Sequence, residues 1–443
     1  MKRFRCTFLF DFLPVLNQFM RSILIVFVSL FLASVNAQPK KAYLLKAGKM
    51  YDSGKNIFLK NQEILVENGK ITKVGTGIKA PDGAEIINLP NCTLSPGLID
   101  AHTHILTIQK SNEPLEVDIL TNSDIERSLR AVKIARTYLE SGFTTIRDLG
   151  NSGMFLDLNI KRAIDNGWVV GPRMIVSGPI LSPEDGQFFN LSSQNRFVID
   201  REYRVIRNVE DARQAVKDHI SHGVDVIKVV MGDGRLTLTL EEVKSIVETA
   251  HHYGIKVTAH ATYDEVISRA LNAGVDGIEH GYGIADSLLD IMAKKKVYLV
   301  PTIGTFESYR ELFDPEKKQT DEQLKGLRDF VNKSEEIVKK AIEKGVMVVN
   351  GADMYIYTPK PQGDAAKNSM EAYYVGCGKA NEVLKTATKN ASIACGIDRF
   401  TGEIKENMTA DIIAFDGDIE KDFVSTLYKI KLVMKEGVIL LNK

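Results

Sequence analysis

Short apolar runs with the composition of β-strands recur through the middle of this chain, and most of the intervals between them carry a helical pattern. Eight such runs begin near Leu98, Thr144, Arg173, Asp225, Lys256, Gly277, Tyr298 and Val346. The clearest helical intervals are 240–253, 263–272 and 323–344, and a glycine follows several helix ends, at Gly142, Gly223, Gly254, Gly274 and Gly345. Eight strands with helical crossovers predict an α/β fold of the (β/α)8 TIM-barrel type. An open doubly wound sheet is less favoured, because no Gly-x-Gly-x-x-Gly follows the first strand.

The two ends of the chain are β-rich and differ from the middle. Residues 42–45, 62–66 and 70–74 read as strands with a turn at Asn68-Gly69, and 410–415, 431–435 and 437–440 have the same texture. We therefore expect a small β-sandwich domain formed by the N- and C-terminal segments. The predicted domains are a first sandwich segment at 38–95, a barrel at 96–400 and a second sandwich segment at 401–443.

Composition excludes several classes of function. The 443 residues suffice for one barrel and a smaller unit, and 57 basic side chains balance 57 acidic ones. No basic field favours nucleic acid, and no acidic tail favours a charged partner. Beyond the N-terminal leader the chain keeps Cys92, Cys377 and Cys395, an odd number without paired spacing, so a disulfide framework is not expected.

Residues 1–37 read as a signal peptide rather than as part of the fold. An apolar run at 23–33 follows Met20-Arg21, and small residues precede Ala37, after which we expect cleavage. The run is shorter than the roughly 20 residues that span a bilayer, so a membrane anchor is the less favoured alternative. The sequence predicts an exported protein, periplasmic or secreted, without stable membrane insertion after cleavage. Met20 is an alternative start.

Two histidines end the first strand-like run of the middle region. The segment 96–104 is largely apolar and closes with His102 and His104. On a strand, residues two apart project to the same face, so both imidazoles can reach one metal ion. Taken alone, the pair also fits two surface or helix-capping histidines.

Other chemistry-bearing residues stand near the ends of later runs. They are Lys228, His260, His280 and Asp353, whereas His219, His222, His251 and His252 fall in helical segments. In a barrel of parallel strands, side chains at the last positions of different strands converge on the carboxyl-terminal mouth, where active sites lie. The sequence therefore predicts that all six residues meet in one site.

The chemistry of this set favours divalent metals, with zinc as the first choice. An ammonium group beside such ions is unfavourable, so Lys228 is expected to be uncharged if it faces them. A neutral amine can add carbon dioxide to become N6-carboxylysine, an anion able to bridge two metals. The alternative is that Lys228 points outward or pairs with Asp225 or Asp233.

A pair of metals would hold a bridging hydroxide that is nucleophilic at neutral pH, and it would polarise a carbonyl group. Asp353 is then the predicted catalytic proton shuttle, which takes the proton of the attacking water and passes it to the leaving nitrogen. The competing interpretation makes Asp353 a helix N-cap after Gly351-Ala352.

These motifs resemble those of the amidohydrolase superfamily, in the branch of Xaa-Pro dipeptidases and imidazolonepropionase-related proteins. The matching segments are 68–71, 96–104, 142–148, 171–173, 226–228, 259–261, 273–281, 387–391 and 410–412. The metal ligands that this resemblance implies are His102 and His104 for the first metal, His260 and His280 for the second, the carboxylated Lys228 as the bridge, and Asp353.

The chain departs from the family's pattern where substrate is chosen. A Gly-Gly-His-Gly turn often follows the third strand, but 182–189 reads Ser-Pro-Glu-Asp-Gly-Gln-Phe-Phe and lacks the histidine. The segment 231–234 reads Met-Gly-Asp-Gly in place of a small Ser-Gly-Gly, and Met354 follows Asp353 where glycine is common. The metal machinery is therefore expected here, but cleavage of the family's usual dipeptides is not implied.

Candidate substrate contacts on strand ends and loops that should rim the mouth are Arg147, Arg235, Tyr282, Tyr355 and Tyr357. Arg147 could clamp a substrate carboxylate through two hydrogen bonds. The favoured alternative for this arginine is a structural ion pair with Asp148.

The sequence thus predicts an amidohydrolase that cleaves a carbon–nitrogen amide bond, in a dipeptide or an N-acyl amino acid. A cyclic amide of the imidazolonepropionase type is the second candidate, and an ester or lactone is the third. A non-catalytic scaffold is the alternative from another class, because fold does not dictate function. The expected cofactors are two divalent metal ions and carbon dioxide, the expected partner is a small molecule or dipeptide, and a homo-oligomer is left open.

Overall fold

The structure is a computed structural model that describes residues 41–111, 113–188, 191–316 and 318–443. The predicted signal peptide lies outside these residues. The strands are β1 (Tyr43–Asp52), β2 (Ile57–Glu67), β3 (Lys70–Gly75), β4 (Glu85–Pro96), β5 (Leu98–Thr103), β6 (Phe143–Asp148), β7 (Arg173–Val176), β8 (Ile180–Ser182), β9 (Tyr203–Val205), β10 (Val226–Val230), β11 (Lys256–Ala261), β12 (Gly277–His280), β13 (Tyr298–Val300), β14 (Ile412–Asp416), β15 (Ile430–Lys435) and β16 (Val438–Asn442).

Helices occupy most of the intervals between the strands of the middle region. They are α1 (Leu115–Thr121), α2 (Asp124–Glu140), α3 (Leu156–Asp165), α4 (Phe197–Glu202), α5 (Val209–His222), α6 (Leu240–His252), α7 (Asp264–Ala273), α8 (Asp286–Lys295), α9 (Phe306–Phe313), α10 (Asp321–Glu343), α11 (Gln362–Ala366), α12 (Asn368–Cys377), α13 (Ala380–Lys385), α14 (Ala391–Ala394) and α15 (Phe423–Leu427). Within the described part of the chain, none of them combines the length and the apolar composition needed to cross a bilayer.

Both ends of the chain contribute to one seven-stranded sheet, in the order β16-β15-β14-β4-β1-β2-β3. β1 runs parallel to β4, and the other neighbouring pairs are antiparallel. The strands predicted at the two termini are therefore confirmed, and they pair through β4 and β14. The packing of this sheet as a sandwich stays a prediction.

Parallel strands make up the middle region. One sheet has the order β5-β6-β7, and a second has the order β13-β12-β11-β10-β8-β9. Seven of the eight predicted runs form strands at the expected places. In β10 every residue from Val226 to Val230 is buried, which is the composition expected of a strand covered on both faces.

The eighth predicted run, at 346–350, forms no regular strand. It makes a single parallel bridge, between Leu299 and Val348, and Val349 N donates to Leu299 O over 2.9 Å. The hydrogen bonding to β13 does not continue at Asn350. Asn350 N donates to Thr386 O over 3.0 Å, and Asn350 O accepts from Ala101 N over 2.9 Å. This segment thus connects β13 of one parallel sheet with β5 of the other.

Local signals explain where the helices begin and end. Capping boxes start α2 at Ser123, α6 at Thr239 and α10 at Thr320, so the first free N–H groups of each helix are satisfied. Gly223 ends α5 in the left-handed region at φ 94°, a conformation that costs glycine little. Strands β8 and β9, each of three residues, were not predicted.

Candidate metal centre

The ends of the parallel strands bring the six predicted residues together. His102, His104, Lys228, His260, His280 and Asp353 all line one cavity of about 560 Å³. The imidazole rings of His102 and His280 lie 5.1 Å apart, and those of His260 and His280 lie 4.3 Å apart. Residues more than two hundred positions apart therefore become neighbours, as the strand-end argument requires.

His102, His104 and Asp353 form the tightest group. One possible ligand atom from each lies within 4.8 Å of the others. Oδ1 of Asp353 is buried, 3.3 Å from His104 Nε2 and 3.7 Å from His102 Nε2, and it lacks a well-formed hydrogen bond to any described residue. A buried carboxylate oxygen without a partner is costly, and a cation between these atoms would remove that cost. The three residues therefore fit a divalent metal.

Asp353 is not a helix N-cap, because the next helix begins only at Gln362. Its backbone lies in the left-handed region at φ 53°, and that of His280 lies there at φ 72°. Residues other than glycine rarely adopt this backbone conformation, and backbone strain of this kind concentrates at functional sites. Burial acts to raise the pKa of Asp353, but His102 and His104 lower it below its ordinary value.

Hydrogen bonds orient the first two imidazoles. His102 Nδ1 donates to Glu279 Oε2 over 2.7 Å, and His104 Nδ1 donates to the main-chain oxygen of Gly150 over 2.7 Å. In each ring this leaves Nε2 as the atom that can bind a metal. Partners of this kind fix the tautomer of metal-binding histidines and are as much a part of such sites as the ligands themselves.

The other two imidazoles are oriented in the same way. His280 Nδ1 is hydrogen-bonded to Thr302 Oγ1 at 2.7 Å, which leaves its Nε2. His260 Nε2 lies 2.6 Å from Asp233 Oδ2, which leaves its Nδ1. Asp233 is held in turn by Thr262, whose hydroxyl donates to the second carboxylate oxygen over 2.8 Å. A second metal would therefore meet one free nitrogen from each ring.

Lys228 lies inside the site, and both alternatives for it are wrong. The side chain is buried, and its Nζ lies 3.4 Å from His102 Nε2. Asp225 pairs instead with Lys161 at 2.6 Å, and Asp233 is engaged by an imidazole. Burial lowers the pKa of Lys228 to about 8, so the neutral amine is accessible near physiological pH.

A buried ion pair lies behind His102. Glu279 Oε1 accepts from Arg147 Nη2 over 2.8 Å, and both side chains are fully buried. Arg147 also donates to Ala101 O and to Tyr298 Oη, at 2.6 and 2.8 Å. Burial acts to raise the pKa of Glu279, but Arg147 and His102 lower it to about 2, so the carboxylate is ionised.

This placement corrects two expectations about Arg147. The arginine does not reach the cavity, because all of its hydrogen bonds lie behind the imidazoles, and it is therefore not positioned to clamp a substrate. Its ionic partner is Glu279 and not Asp148. Asp148 instead accepts hydrogen bonds from Ile105 N and Ser152 Oγ, both at 2.8 Å.

The remaining walls of the cavity are mostly apolar, aromatic or amide-bearing. They are formed by Gln109, Pro114, Leu115, Glu116, Asn151, Ile180, Gln187, Phe188, Tyr203, Tyr282 and Tyr355. Of the predicted substrate contacts, Tyr282 and Tyr355 line the cavity, and Arg235 and Tyr357 do not. Among the described residues that form these walls there is no arginine.

Glu279 and Asp233 are the functional residues that sequence reasoning missed. Glu279 stands directly before His280 in a strand whose four residues are all buried, and a carboxylate in such a strand needs a partner. That requirement was the available signal. Asp233 lies in the 231–234 segment that departs from the family's pattern, and the sequence suggested it only as an ion-pair partner of Lys228, not as a partner of His260.

Comparison with known proteins identifies the family of this chain. The model of the Amidohydrolase family matches residues 93–440. The chain is 26% identical over 353 residues to ochratoxinase of Aspergillus niger, covering 73% of this chain and 70% of that protein. It is 24% identical over 390 residues to imidazolonepropionase of Treponema denticola, covering 80% and 85%.

Solved structures give the same fold. The crystal structure of a Xaa-Pro dipeptidase with bound methionine matches 91% of this chain and 100% of its own, with a TM-score of 0.77 and 24% identity. Proteins of this family typically bind divalent metals, and the buried His102, His104 and Asp353 group is present here. The chain belongs to the amidohydrolase family, hydrolases that act on carbon–nitrogen bonds.

Proposed function

We propose that this protein is an exported, metal-dependent hydrolase that cleaves the amide bond of a dipeptide or an N-acyl amino acid. The observation that carries the proposal is the convergence of four imidazoles, one lysine and one carboxylate on a single cavity. A scaffold protein has no physical need to bury such a set, because each polar group costs free energy unless it is paired.

The metal ligands in this proposal are His102, His104 and Asp353 on one side and His260 and His280 on the other. Lys228, carboxylated, would join the two sides. Nitrogen and carboxylate donors favour zinc among the common divalent ions. When bound, such ions would activate a water molecule and polarise the carbonyl group of the substrate.

Asp353 is the proposed proton carrier. Its Oδ1 faces the imidazoles, so the carboxylate can take a proton at this side of the cavity and release it to the nitrogen that leaves. Its lowered pKa keeps it ionised before the reaction, as a base requires. The hydroxyl of Tyr282, which lies 3.0 Å from that of Thr302 beside His280, lines the cavity and can hold the substrate through a hydrogen bond.

The cavity walls bear on the choice of substrate. A volume of about 560 Å³ accommodates a dipeptide-sized molecule. The described walls offer aromatic and apolar surface but no arginine for a free carboxylate, which also supports the second candidate, a cyclic amide of the imidazolonepropionase type. Ochratoxinase and imidazolonepropionase, among the relatives, are consistent with an amide-cleaving enzyme.

We further propose that the two parallel sheets are parts of one closed (β/α)8 barrel at 96–400. The hydrogen bonds of 347–350 to both sheets support this closure. The segments 38–95 and 401–443 would form the small sandwich domain, in line with the sheet that they share. Export rests on the signal peptide read in the sequence.

The direct test is hydrolysis by metal-reconstituted protein. Protein stripped with a chelator should be inactive, and zinc with bicarbonate should restore cleavage of members of a dipeptide and N-acyl amino acid library. A His102→Ala variant should bind less metal. If reconstituted protein cleaves no amide, ester or lactone, and His102→Ala changes neither metal content nor thermal stability, the scaffold alternative is favoured.

Replacing Asp233 by asparagine tests the orientation of His260. The variant keeps the shape of the side chain but weakens the hydrogen bond to His260 Nε2, so affinity for one of two zinc ions should fall by about 10–100-fold. Competition with a chromogenic chelator measures this change. Asp225→Asn is the matched control, because Asp225 is similarly exposed and pairs with Lys161 outside the site. An equal loss in both variants would contradict the assigned role.

A further inference from the structure

We propose that a side pocket beside Asp353 selects a small apolar side chain next to the scissile bond, an inference that rests on the proposed amide hydrolysis. This side pocket is a cavity of about 110 Å³ between α9, α11 and the segment 352–356. It shares Tyr282, Asp353 and Tyr355 with the main cavity. The two spaces are therefore adjacent, and these three residues line both of them.

Part of the wall of the side pocket is aliphatic, although polar side chains also line it. Ile303, Leu312, Met354, Ile356 and Ala365 contribute to them, and all five side chains are buried. Burial of an aliphatic group against such side chains is favourable. The aliphatic part of the wall thus favours contact with an apolar group.

Three hydroxyl-bearing residues at the wall already have partners. Ser308 Oγ donates to Thr305 O over 2.8 Å, and Tyr309 Oη accepts from Gly304 N over 3.0 Å. Ser369 Oγ donates to a buried carboxamide oxygen over 2.9 Å. The hydroxyl protons of Ser308 and Ser369 are already donated within the protein, so a polar occupant that accepts from them would have to displace these hydrogen bonds. An aliphatic occupant leaves them intact.

The volume limits the size of the occupant. An apolar cavity of about 150 Å³ in another protein takes up benzene, so a pocket of about 110 Å³ is too small for an aromatic ring without rearrangement. It fits the side chain of alanine or valine. Because Asp353 lines both cavities, the proposal places this group next to the bond that is cleaved.

Enlarging and filling the pocket should change selectivity in opposite directions. Leu312→Ala enlarges the pocket, and Ala365→Leu fills it. The probes are two ladders, Xaa-Gly and Gly-Xaa, with Xaa as glycine, alanine, valine, leucine or phenylalanine. We expect Leu312→Ala to shift the kcat/KM ratio of phenylalanine to valine upward by about ten-fold or more on one ladder. We expect Ala365→Leu to reduce the ratio of valine to glycine by a similar factor.

Leu288→Ala is the matched control, because Leu288 is a leucine of α8 that is 8% exposed, against 7% for Leu312, and lies outside the side pocket. It should lower thermal stability to a similar degree and leave both ratios unchanged. The ladder that responds identifies whether the acyl side or the amine side enters the pocket. Unchanged ratios in both pocket variants, with active wild-type enzyme, would overturn the inference.

A binding experiment with the free amino acids that stand as Xaa in the two ladders separates this inference from the proposed function. Calorimetry on metal-loaded wild type should show tighter binding of alanine and valine than of phenylalanine, with the order relaxed in Leu312→Ala. If the wild type cleaves no amide, the proposed function fails, and the binding order still decides on the pocket. If Leu312→Ala and Leu288→Ala change the order of affinities equally, the inference about the side pocket is refuted.

Discussion

Replacing Lys228 by methionine is expected to reduce amide hydrolysis to less than about one thousandth of the wild-type rate. Methionine fills a similar volume but cannot carry a carbamate, so both proposed metals lose a ligand in a buried, water-poor site. Removal of one preorganised electrostatic group typically costs 10²- to 10³-fold, and here the loss affects two ions. The measurement is kcat/KM after reconstitution with zinc and bicarbonate, together with zinc content per chain, which should fall below two.

Lys367→Met is the matched control for this variant. Lys367 is also buried, its pKa is likewise lowered by burial to about 8, and its Nζ donates to Leu427 O over 2.9 Å. It does not line the cavity of Lys228. The control should lose stability but keep its zinc and its activity per folded molecule. Full zinc content and activity in Lys228→Met would contradict the assigned bridge.

The pKa of Lys228 also gives a pH dependence for loading. Only the neutral amine adds carbon dioxide, and burial lowers the pKa of this amine to about 8, so the reactive fraction rises as the pH approaches and passes that value. Metal-free protein should therefore take up bicarbonate-derived carbon dioxide more completely at pH 8.5 than at pH 6.5. Mass spectrometry of protein trapped with zinc would measure the added mass.

Arg147→Met is expected to cause a large loss of stability. The variant leaves Glu279 charged and buried without its cation, and breaking a buried ion pair in this way costs about 3–5 kcal/mol. Glu279 also orients His102, so zinc affinity should fall by about 10–100-fold. Urea denaturation measures the free energy of unfolding, and chelator competition measures the affinity.

Arg127→Met separates the two effects. Arg127 and Glu202 form an equally buried pair, with Nη1 and Oε1 2.6 Å apart, but neither side chain contacts an imidazole of the site. This variant should lose a similar amount of stability and keep the zinc affinity of the wild type. If Arg147→Met retains full zinc affinity, the assigned role of Glu279 in orienting His102 is wrong.

Much of the middle region could be predicted because the local sequence pattern indicates most of its helices and strands. Two signals, apolar runs next to glycine and helical periodicity between the runs, predicted the starts of β5, β10 and β11 to within one residue. The segment 346–350 could not be placed correctly, because its hydrogen bonds go to Ala101 and Thr386, which are distant in sequence. A run of apolar residues does not show which distant residues will hydrogen-bond to its backbone and so interrupt the pairing with a neighbouring strand.

The same distinction holds within the site. His102, His104 and His280 could be chosen because a polar residue at the end of a buried strand is visible in the sequence. The partner of Arg147 could not be found, because the adjacent Asp148 was the nearest opposite charge in sequence. Glu279 instead lies in β12, a strand of the other parallel sheet. Which acidic residue pairs with an arginine depends on their distance in the folded structure, and strand patterns in the sequence do not give that distance.

Anomalous X-ray scattering at the zinc edge, from crystals of protein treated with zinc and bicarbonate, is the most direct test of the central claim. The account predicts two anomalous peaks inside the cavity, one beside His102, His104 and Asp353 and one beside His260 and His280, with added density on Lys228 Nζ. Crystals of enzyme that is active on amides but shows no peak in this cavity, or an unmodified Lys228 turned away from the peaks, would contradict it.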